Sequence, residues 1–323
     1  MRIIGTGSCT PLKIVTNDDL SNIVDTSDEW ISTRTGIKCR HISEGETSAD
    51  LGTKAALNAL DNAGIKPEAV DLIILASMTP DSMLPNTACR IQEQTGAVNA
   101  TCFDLNAACS GFLFALNTAN AFLTSGMYNT ILVIGAETVS RTIDWSDRTT
   151  CVLFGDGAGA VVAVSDNSKK YTAVTGSDGI KGSVLTGGGT VLKNFLVNSD
   201  ATNLIADDYY MKMNGQEVFK FAVSKVPECI RQVLDKSEKN VDDIDYYILH
   251  QANVRIISSV AKRLHVCEDK IPVNLHNYGN TSAASIPILL DELNRAGKLK
   301  DAKNIVLSGF GGGLTWGATF MEL

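Results

Sequence analysis

Two stretches of this chain, 174 residues apart, spell out the same order of elements, and no other feature limits the possible folds so tightly. In the first, Thr47 to Gly64 reads as a helix. Thr47 or Ser48 caps it, Leu51, Ala55, Leu57, Ala59 and Leu60 make its apolar face, and Gly64 stops it. A strand is expected next, at Asp71-Leu-Ile-Ile-Leu-Ala76. In the second stretch the pattern predicts a helix around Val223 to Leu234, a polar turn over Asp235 to Asp243 and a strand from Asp245 to Leu249. Leu60-Asp61 matches Leu234-Asp235, Asp71 matches Asp245, and Ile131-Leu132-Val133 matches Ile305-Val306-Leu307, each at the same offset. The expected strand Cys102 to Leu105, with the helix after it, matches Ile271 to Leu275 at an offset near 170. A strand-helix theme repeated at a period far beyond that of solenoids predicts a duplicated α/β domain.

The halves are expected to span 1–165 and 166–323, joined by the polar run Ser165-Asp-Asn-Ser-Lys-Lys170. Residues 176–208 are rich in Gly, Ser, Thr and Asp, include Gly187-Gly188-Gly189, and break the match, so they read as an insertion lying over the second half. With 44% hydrophobic and 20% charged residues, a chain of 323 residues must bury a large core. Its net charge of −8 provides no general field for nucleic acid or anionic lipid, so any acidic partner needs a local patch. The apolar runs Ile131 to Ala136 and Ala158 to Val164 fall well short of the ~20 residues that span a bilayer, and the first residues lack a signal-peptide core. The expectation is a cytoplasmic protein with no membrane or nucleic-acid partner. Eight cysteines, at 9, 39, 89, 102, 109, 151, 229 and 267, show no C-x-x-C pair and no zinc-like spacing. Most are expected to be small core fillers, leaving room for one reactive thiol; no metal is expected.

In such folds chemistry gathers on loops after the carboxyl ends of strands, near helix N-termini. After Leu105 comes Asn106-Ala-Ala-Cys109-Ser-Gly111 and then a wholly apolar helix. Cys109 thus sits on a strand-to-helix turn at the positive end of a buried helix, a setting expected to lower a thiol's pKa; a packed core cysteine is the plainer alternative. After Leu249 comes His250, which taken alone reads equally as a hydrogen-bonded structural histidine. After Leu275 comes Asn280, which taken alone reads as a helix cap. Duplication brings all three to one crevice, and this convergence points to a catalytic set. After Leu307, Ser308 to Gly317 lacks the lysine of a P-loop, and its glycines suit bare backbone N–H groups facing an oxyanion. Phe154-Gly-Asp-Gly-Ala-Gly159 reads as a structural turn. Arg255, Lys262 and Arg263 fall on one face of an expected helix Val254 to Leu264, either a basic patch for an acidic partner or a solvated face.

The segments Asp104-Leu-Asn-Ala-Ala-Cys109-Ser-Gly111, Phe154 to Gly159, His250-Gln-Ala-Asn-Val-Arg-Ile-Ile257, Gly279-Asn-Thr-Ser-Ala-Ala-Ser285 and Gly311-Gly-Gly-Leu-Thr-Trp-Gly317 together resemble the β-ketoacyl-[acyl-carrier-protein] synthase III family. The resemblance runs from the first strand to Leu323 and implies a duplicated αβαβα thiolase-like fold, a homodimer, and acyltransferase activity. In that family an acyl-CoA primer condenses with malonyl-acyl-carrier protein, starting fatty acid synthesis without a cofactor. The resemblance implies Cys109 as nucleophile, His250 and Asn280 acting on the malonyl thioester, and the N–H groups of Cys109 and Gly312 as oxyanion hole. It also implies Trp30, Arg34, Arg148 and Asn253 as CoA contacts, Leu84 and Phe310 in the acyl pocket, and Arg255, Lys262 and Arg263 in carrier-protein docking. Leu84 stands where members often carry Phe and reaches the partner subunit's pocket, which implies tolerance of primers longer or more branched than acetyl. Two alternatives remain: a related enzyme making a quinolone or polyketide starter, and a papain-like cysteine hydrolase. The latter also runs Cys, His, Asn, but this chain lacks its C-G-S-C-W context.

Overall fold

The computed structural model describes residues 1–187 and 209–323. Its principal elements in the first half are β1 (Arg2–Cys9), α1 (Asp28–Thr35), α2 (Ser48–Ala63), β2 (Leu72–Ala76), α3 (Thr87–Thr95), β3 (Thr101–Leu105), α4 (Gly111–Ser125), β4 (Thr130–Glu137) and β5 (Gly157–Val164). The second half has β6 (Tyr171–Ser177), α5 (Gly215–Ser237), β7 (Tyr246–Leu249), α6 (Val254–Leu264), α7 (Ser285–Arg295), β8 (Asn304–Gly311) and β9 (Thr315–Glu322).

Strand order shows the repeat directly. The first sheet runs β1-β5-β4-β2-β3 and the second β6-β9-β8-β7, so four strands of each correspond in order. β2 pairs parallel to β4 with Leu72 opposite Ile131, and β7 pairs parallel to β8 with Tyr246 opposite Ile305, 174 residues further on in both members. The matched aspartates do the same work. Asp71 accepts from the N–H groups of Asn129 and Thr130 at 2.8 and 3.0 Å, and Asp245 accepts from Lys303 and Asn304 at 2.7 and 2.9 Å. Each carboxylate thereby pins the start of its neighbouring central strand.

Local signals explain the helix ends. Thr47 caps α2 in a reciprocal capping box with Asp50, and Gly64 ends it at φ 68. The equivalent stop of α5 is Glu238, also left-handed at φ 55. α5 runs longer than its apolar pattern suggested, from Gly215 to Ser237, because Asn214 supplies an N-cap well before Val223.

α4 and α7 form the middle layer between the two sheets, while α2 and α3 cover the first sheet and α5 the second, with α6 packed on α5. This is why α4 is apolar on nearly every side: Phe112, Leu113, Ala115, Leu116 and Ala119 are buried against both sheets. Polar pins cross the layers as well. Asp291 of α7 accepts from Thr6 and Ser8 of β1 at 2.7 and 2.6 Å, while Asn117 of α4, its counterpart 174 residues earlier, accepts from Tyr171 and Thr319 of the second sheet.

The expected strand over Ile271 to Leu275 does not form. Pro272 has no N–H to give to a ladder, and the side chain of Gln251 takes the strand's place, donating to Leu249 O and accepting from Asn274 N at 2.8 and 3.0 Å. Leu275 instead begins a short helix to Tyr278. Of the expected insertion, residues 188–208, with Gly188 and Gly189, lie outside the described residues. The segment Phe154 to Gly159, read from the sequence as a structural turn, is one only in its first part: Asp156 is buried and accepts from Ser140 N, Ser140 Oγ and Ser43 N at 2.6–2.9 Å, while Gly157 to Gly159 already belong to β5.

Candidate active site

The repeat builds two matching elbows where its middle-layer helices begin. In the first, Ala108 adopts φ 46, residues 108–110 make one 3-10 turn, and α4 starts at Gly111. In the second, Ser282 adopts φ 52, residues 282–284 make the same turn, and α7 starts at Ser285. Two elbows of one geometry thus face each other, with Cys109 on one and Ser282 on the other.

Cys109 is 6% exposed at the N-terminal end of the central helix. β8 approaches it from above. A Cβ built on Gly311 would stand 2.6 Å from Cys109 N and 3.0 Å from Ser110 N, so only glycine lets this strand end reach the thiol's own amide. Gly312 follows directly.

His250 leaves the end of β7, with its N–H donating to Ser308 O at 2.8 Å. Its Nδ1 lies 2.7 Å from Ser285 Oγ, which also accepts from Gln251 N at 3.4 Å. In the tautomer in which Ser285 donates its proton to Nδ1, Nε2 carries the ring hydrogen and faces outward as a donor. The ring sits edge-on to Phe310 at 5.4 Å, and burial pulls its pKa from 6.5 down to about 3, so the imidazole is neutral at pH 7. Unfolding releases this constraint. Between about 6.5 and about 3 the unfolded chain binds the proton that the folded one refuses, so this residue's contribution to stability falls as pH falls through that window. A His250→Gln variant is expected to lose up to ~1.4 kcal/mol per pH unit of that dependence relative to the parent. Chemical melts across acidic pH check this as a difference, since the buried carboxyls of Glu137 and Asp156, raised by desolvation, act with the opposite sign. Identical slopes for the two proteins would contradict a neutral buried ring.

Asn280 is not a helix cap; α7 has Ala284 at that position, with no side-chain cap bond. Its backbone is tied to the turn at 153–155 by Asn280 N to Leu153 O at 2.8 Å and Gly155 N to Asn280 O at 3.1 Å. Its Oδ1 accepts from Ser282 N at 2.9 Å, which leaves the NH2 group as the free end of the carboxamide. Cys109, His250, Asn280, Phe310 and Gly312 line one cavity of about 800 Å³, so the three distant side chains predicted to converge do share a site.

The thiol's ionisation departs from expectation. The helix end is present, but burial dominates and pushes Cys109 up to about 12, opposed by a hydrogen bond from Ser282. The cysteines as a group also differ from the sequence reading: only Cys109, Cys151 and Cys229 are buried, Cys267 is exposed and the other four are half-buried.

Beside the cavity, the guanidinium carbons of Arg34 and Arg148 lie 4.5 and 4.9 Å from the ring centre of Trp30 on α1. Asn253 joins this cluster to the cavity: it lines the wall, donates to Arg34 O at 3.2 Å, and caps α6 by accepting from Arg255 N at 2.8 Å. Leu84 is 88% exposed on the connection from β2 to α3 and does not line this chain's cavity. Arg255, Lys262 and Arg263 are exposed on α6, whose other face buries Ile256, Ile257, Val260, Ala261 and Leu264.

Sequence reasoning passed over Glu137, Ser282 and Ser285 as site residues. A signal existed for the first: Glu137 ends the apolar run of β4, where a carboxylate has only protein around it. The two serines lay within a recognised motif, but Ser282 meets Glu137 only when the halves fold against each other, and Ser285 meets His250 only when α7 packs beside the end of β7.

Models of the 3-oxoacyl-[acyl-carrier-protein] synthase III family match residues 103–179 and, for its C-terminal part, 234–323. The β-ketoacyl-[acyl-carrier-protein] synthase III of Clostridium acetobutylicum is 53% identical over 331 aligned residues, covering 100% of this chain and 98% of that protein. That of Streptococcus sanguinis is 48% identical over 97% of this chain and 96% of its own length. The crystal structure of 3-oxoacyl-[acyl-carrier-protein] synthase III from Aquifex aeolicus VF5 superposes with a TM-score of 0.92 at 45% identity, covering 100% of this chain and 99% of that one.

Proposed function

The chain belongs to the β-ketoacyl-[acyl-carrier-protein] synthase III family of thiolase-fold acyltransferases, which initiate fatty acid synthesis, and on that premise we propose how its own residues divide the work. The observation that carries the assignment is the single cavity shared by Cys109, His250, Asn280 and Gly312.

In the first half-reaction the Cys109 sulfur attacks the thioester carbonyl of acyl-CoA. A C–S bond forms, the bond to CoA sulfur breaks, and the thiol proton ends on the departing CoA. The N–H groups of Cys109 and Gly312 hold the oxyanion. In the second, malonyl-carrier protein loses CO2, and its electron pair moves into an enolate on the thioester oxygen. Neutral His250 through Nε2–H and Asn280 through its NH2 donate to that oxygen. The carbanion then attacks the acyl-cysteine carbonyl, a C–C bond forms, the C–S bond breaks, the 3-ketoacyl thioester departs on the carrier, and the released thiolate takes a proton from water to restore the thiol. A neutral imidazole suits this step because its weakly acidic N–H donates to the enolate oxygen without transferring its proton, as an imidazolium would.

Trp30, Arg34, Arg148 and Asn253 would hold the nucleotide end of CoA, with an arginine moving off the tryptophan to admit adenine. Arg255, Lys262 and Arg263 would meet the acidic carrier protein, supported by their shared exposure on α6 in a chain of net charge −8. We read 1–165 and 166–323 as the duplicated units and the protein as a cytoplasmic homodimer in which Leu84 reaches the partner's acyl pocket beside Phe310. No helix among the described residues is long and apolar enough to cross a membrane.

The test is condensation of a panel of acyl-CoA primers with malonyl-carrier protein, read by mass spectrometry of the carrier. We expect 3-ketoacyl products, with branched or longer primers competing against acetyl-CoA because leucine at 84 is smaller than phenylalanine. Strict acetyl selectivity would overturn the role of Leu84. CoA release with no ketoacyl product would overturn the proposed division of work.

A further inference from the structure

Two hydroxyl groups join the chain segments that carry the two proposed oxyanion donors. Ser110, wholly buried beside Cys109, has its Oγ 2.8 Å from Ala107 O and 2.7 Å from Thr315 Oγ1. Thr315 begins β9, pairs across the β8–β9 turn with Gly311, and has its Oγ1 3.1 Å from Gly312 O and 3.2 Å from Ala107 O. Each hydroxyl has one hydrogen, and both ways of placing the two close the same link. Either Thr315 donates to Ser110 and Ser110 to Ala107 O, or Ser110 donates to Thr315 and Thr315 to the carbonyl of Gly312 or Ala107. The elbow before Cys109 is thereby tied to the turn that carries Gly312. That tie bears on the chemistry, because an oxyanion is stabilised fully only when both N–H groups stand at hydrogen-bond length from it at once.

The other half of the repeat builds the same elbow without this link. There, 174 residues on, Ala283 stands for Cys109 and Ala284 for Ser110. Thr315 stands opposite Gly311 in the pair β8–β9, and in the matching pair β4–β5 the residue opposite Glu137 is Gly157. The elbow that carries no thiol thus lacks both hydroxyls, yet its turn, its strands and α7 all form. Hydroxyls found only beside the thiol point to its chemistry rather than to the fold.

We propose that Ser110 and Thr315 are positioning residues for the oxyanion hole: their hydroxyl link holds the N–H groups of Cys109 and Gly312 at the spacing at which both donate to the primer's carbonyl oxygen as the sulfur adds to its carbon. The proposal rests on the reading of Cys109 as nucleophile and of those two N–H groups as the donors. Thr315 lines the cavity, whereas Ser110 does not, so Ser110 probes the link from a place the primer does not reach.

The test is single-turnover acylation of Cys109 by acetyl- or isobutyryl-CoA, whichever the parent takes faster, in full-length Ser110→Ala, Thr315→Val and double-variant proteins, with thermal melts to show folding. Valine keeps the branched shape of threonine in the strand and removes the hydroxyl. Each single variant is expected to lower the maximal acylation rate by about tenfold, the upper end of what one neutral hydrogen bond contributes. The half-saturating concentration of acyl-CoA should stay put, because the donors act on charge present only in the transition state. The two hydroxyls form one link, so the double variant is expected to be no slower than Thr315→Val, and Thr315→Ser, which keeps the hydroxyl, to recover most of the rate. Decarboxylation of malonyl-carrier protein is expected to hold its rate when either substitution is added to Cys109→Ala, since His250 and Asn280 serve that step. A folded single variant that acylates at the parent's rate would overturn the proposal. So would losses that multiply in the double variant, that appear only in the half-saturating concentration, or that fall equally on decarboxylation. A parent protein that takes no acyl group on Cys109 would instead retire the nucleophile, and the proposal with it.

Discussion

A Cys109→Ala protein is expected to take up no acyl group from acyl-CoA and to form no 3-ketoacyl product, while retaining some decarboxylation of malonyl-carrier protein. The split follows from the geometry. The sulfur is the sole nucleophile in the proposed chemistry, and alanine removes the atom to which the primer must bond. His250 and Asn280 owe their positions to other groups: Ser308 and Ser285 hold the histidine, and Leu153, Gly155 and Ser282 hold the asparagine. Their donors remain in place in the variant, so charge on a malonyl thioester oxygen is still stabilised. Intact-protein mass spectrometry after incubation with acyl-CoA checks the first half, and release of CO2 checks the second. An acyl adduct on the variant chain would show that another residue takes the primer.

His250→Ala is expected to reverse this pattern. Primer transfer should stay measurable, because the proposed oxyanion donors of that step are the backbone N–H groups at 109 and 312. Condensation should fall by about 10²–10³-fold, the usual effect of deleting one preorganised donor to a developing oxyanion. The loss should appear in the turnover rate more than in the apparent affinity for malonyl-carrier protein, because the ring's hydrogen bond strengthens only as charge builds. Separate single-turnover measurements of acylation and decarboxylation decide the matter. Equal loss of both would mean that His250 serves the thiol as much as the malonyl group.

Much of this could be read from the residues alone. The repeat was legible because it is written residue for residue at one offset, with Asp71 and Asp245 in equivalent places, and because the stop of α2 at Gly64 is a single-residue turn. The missing strand at 271–275 was not, because a side chain from Gln251, distant in sequence, supplies the bonds that a ladder would have made. The residues proposed to react were legible as a chain of loop positions. Their electrostatics were not, since helix position argued for an acidic thiol while burial, a property of the assembled cavity, pushes it the other way. Ser282 shows the same limit: in sequence it is a small residue near a helix start, and only the packing of one elbow on the other brings its hydroxyl to Glu137.

The most direct measurement is a chase. The protein is first acylated by excess acyl-CoA and freed of CoA, the adduct is mapped to the Cys109 peptide, and malonyl-carrier protein is then added under single-turnover conditions. The account predicts that the acyl mass leaves Cys109 in step with CO2 release and reappears, two carbons longer, on the carrier protein. An adduct on a different residue, or an acyl-Cys109 that the carrier protein cannot discharge while product still forms, would contradict it.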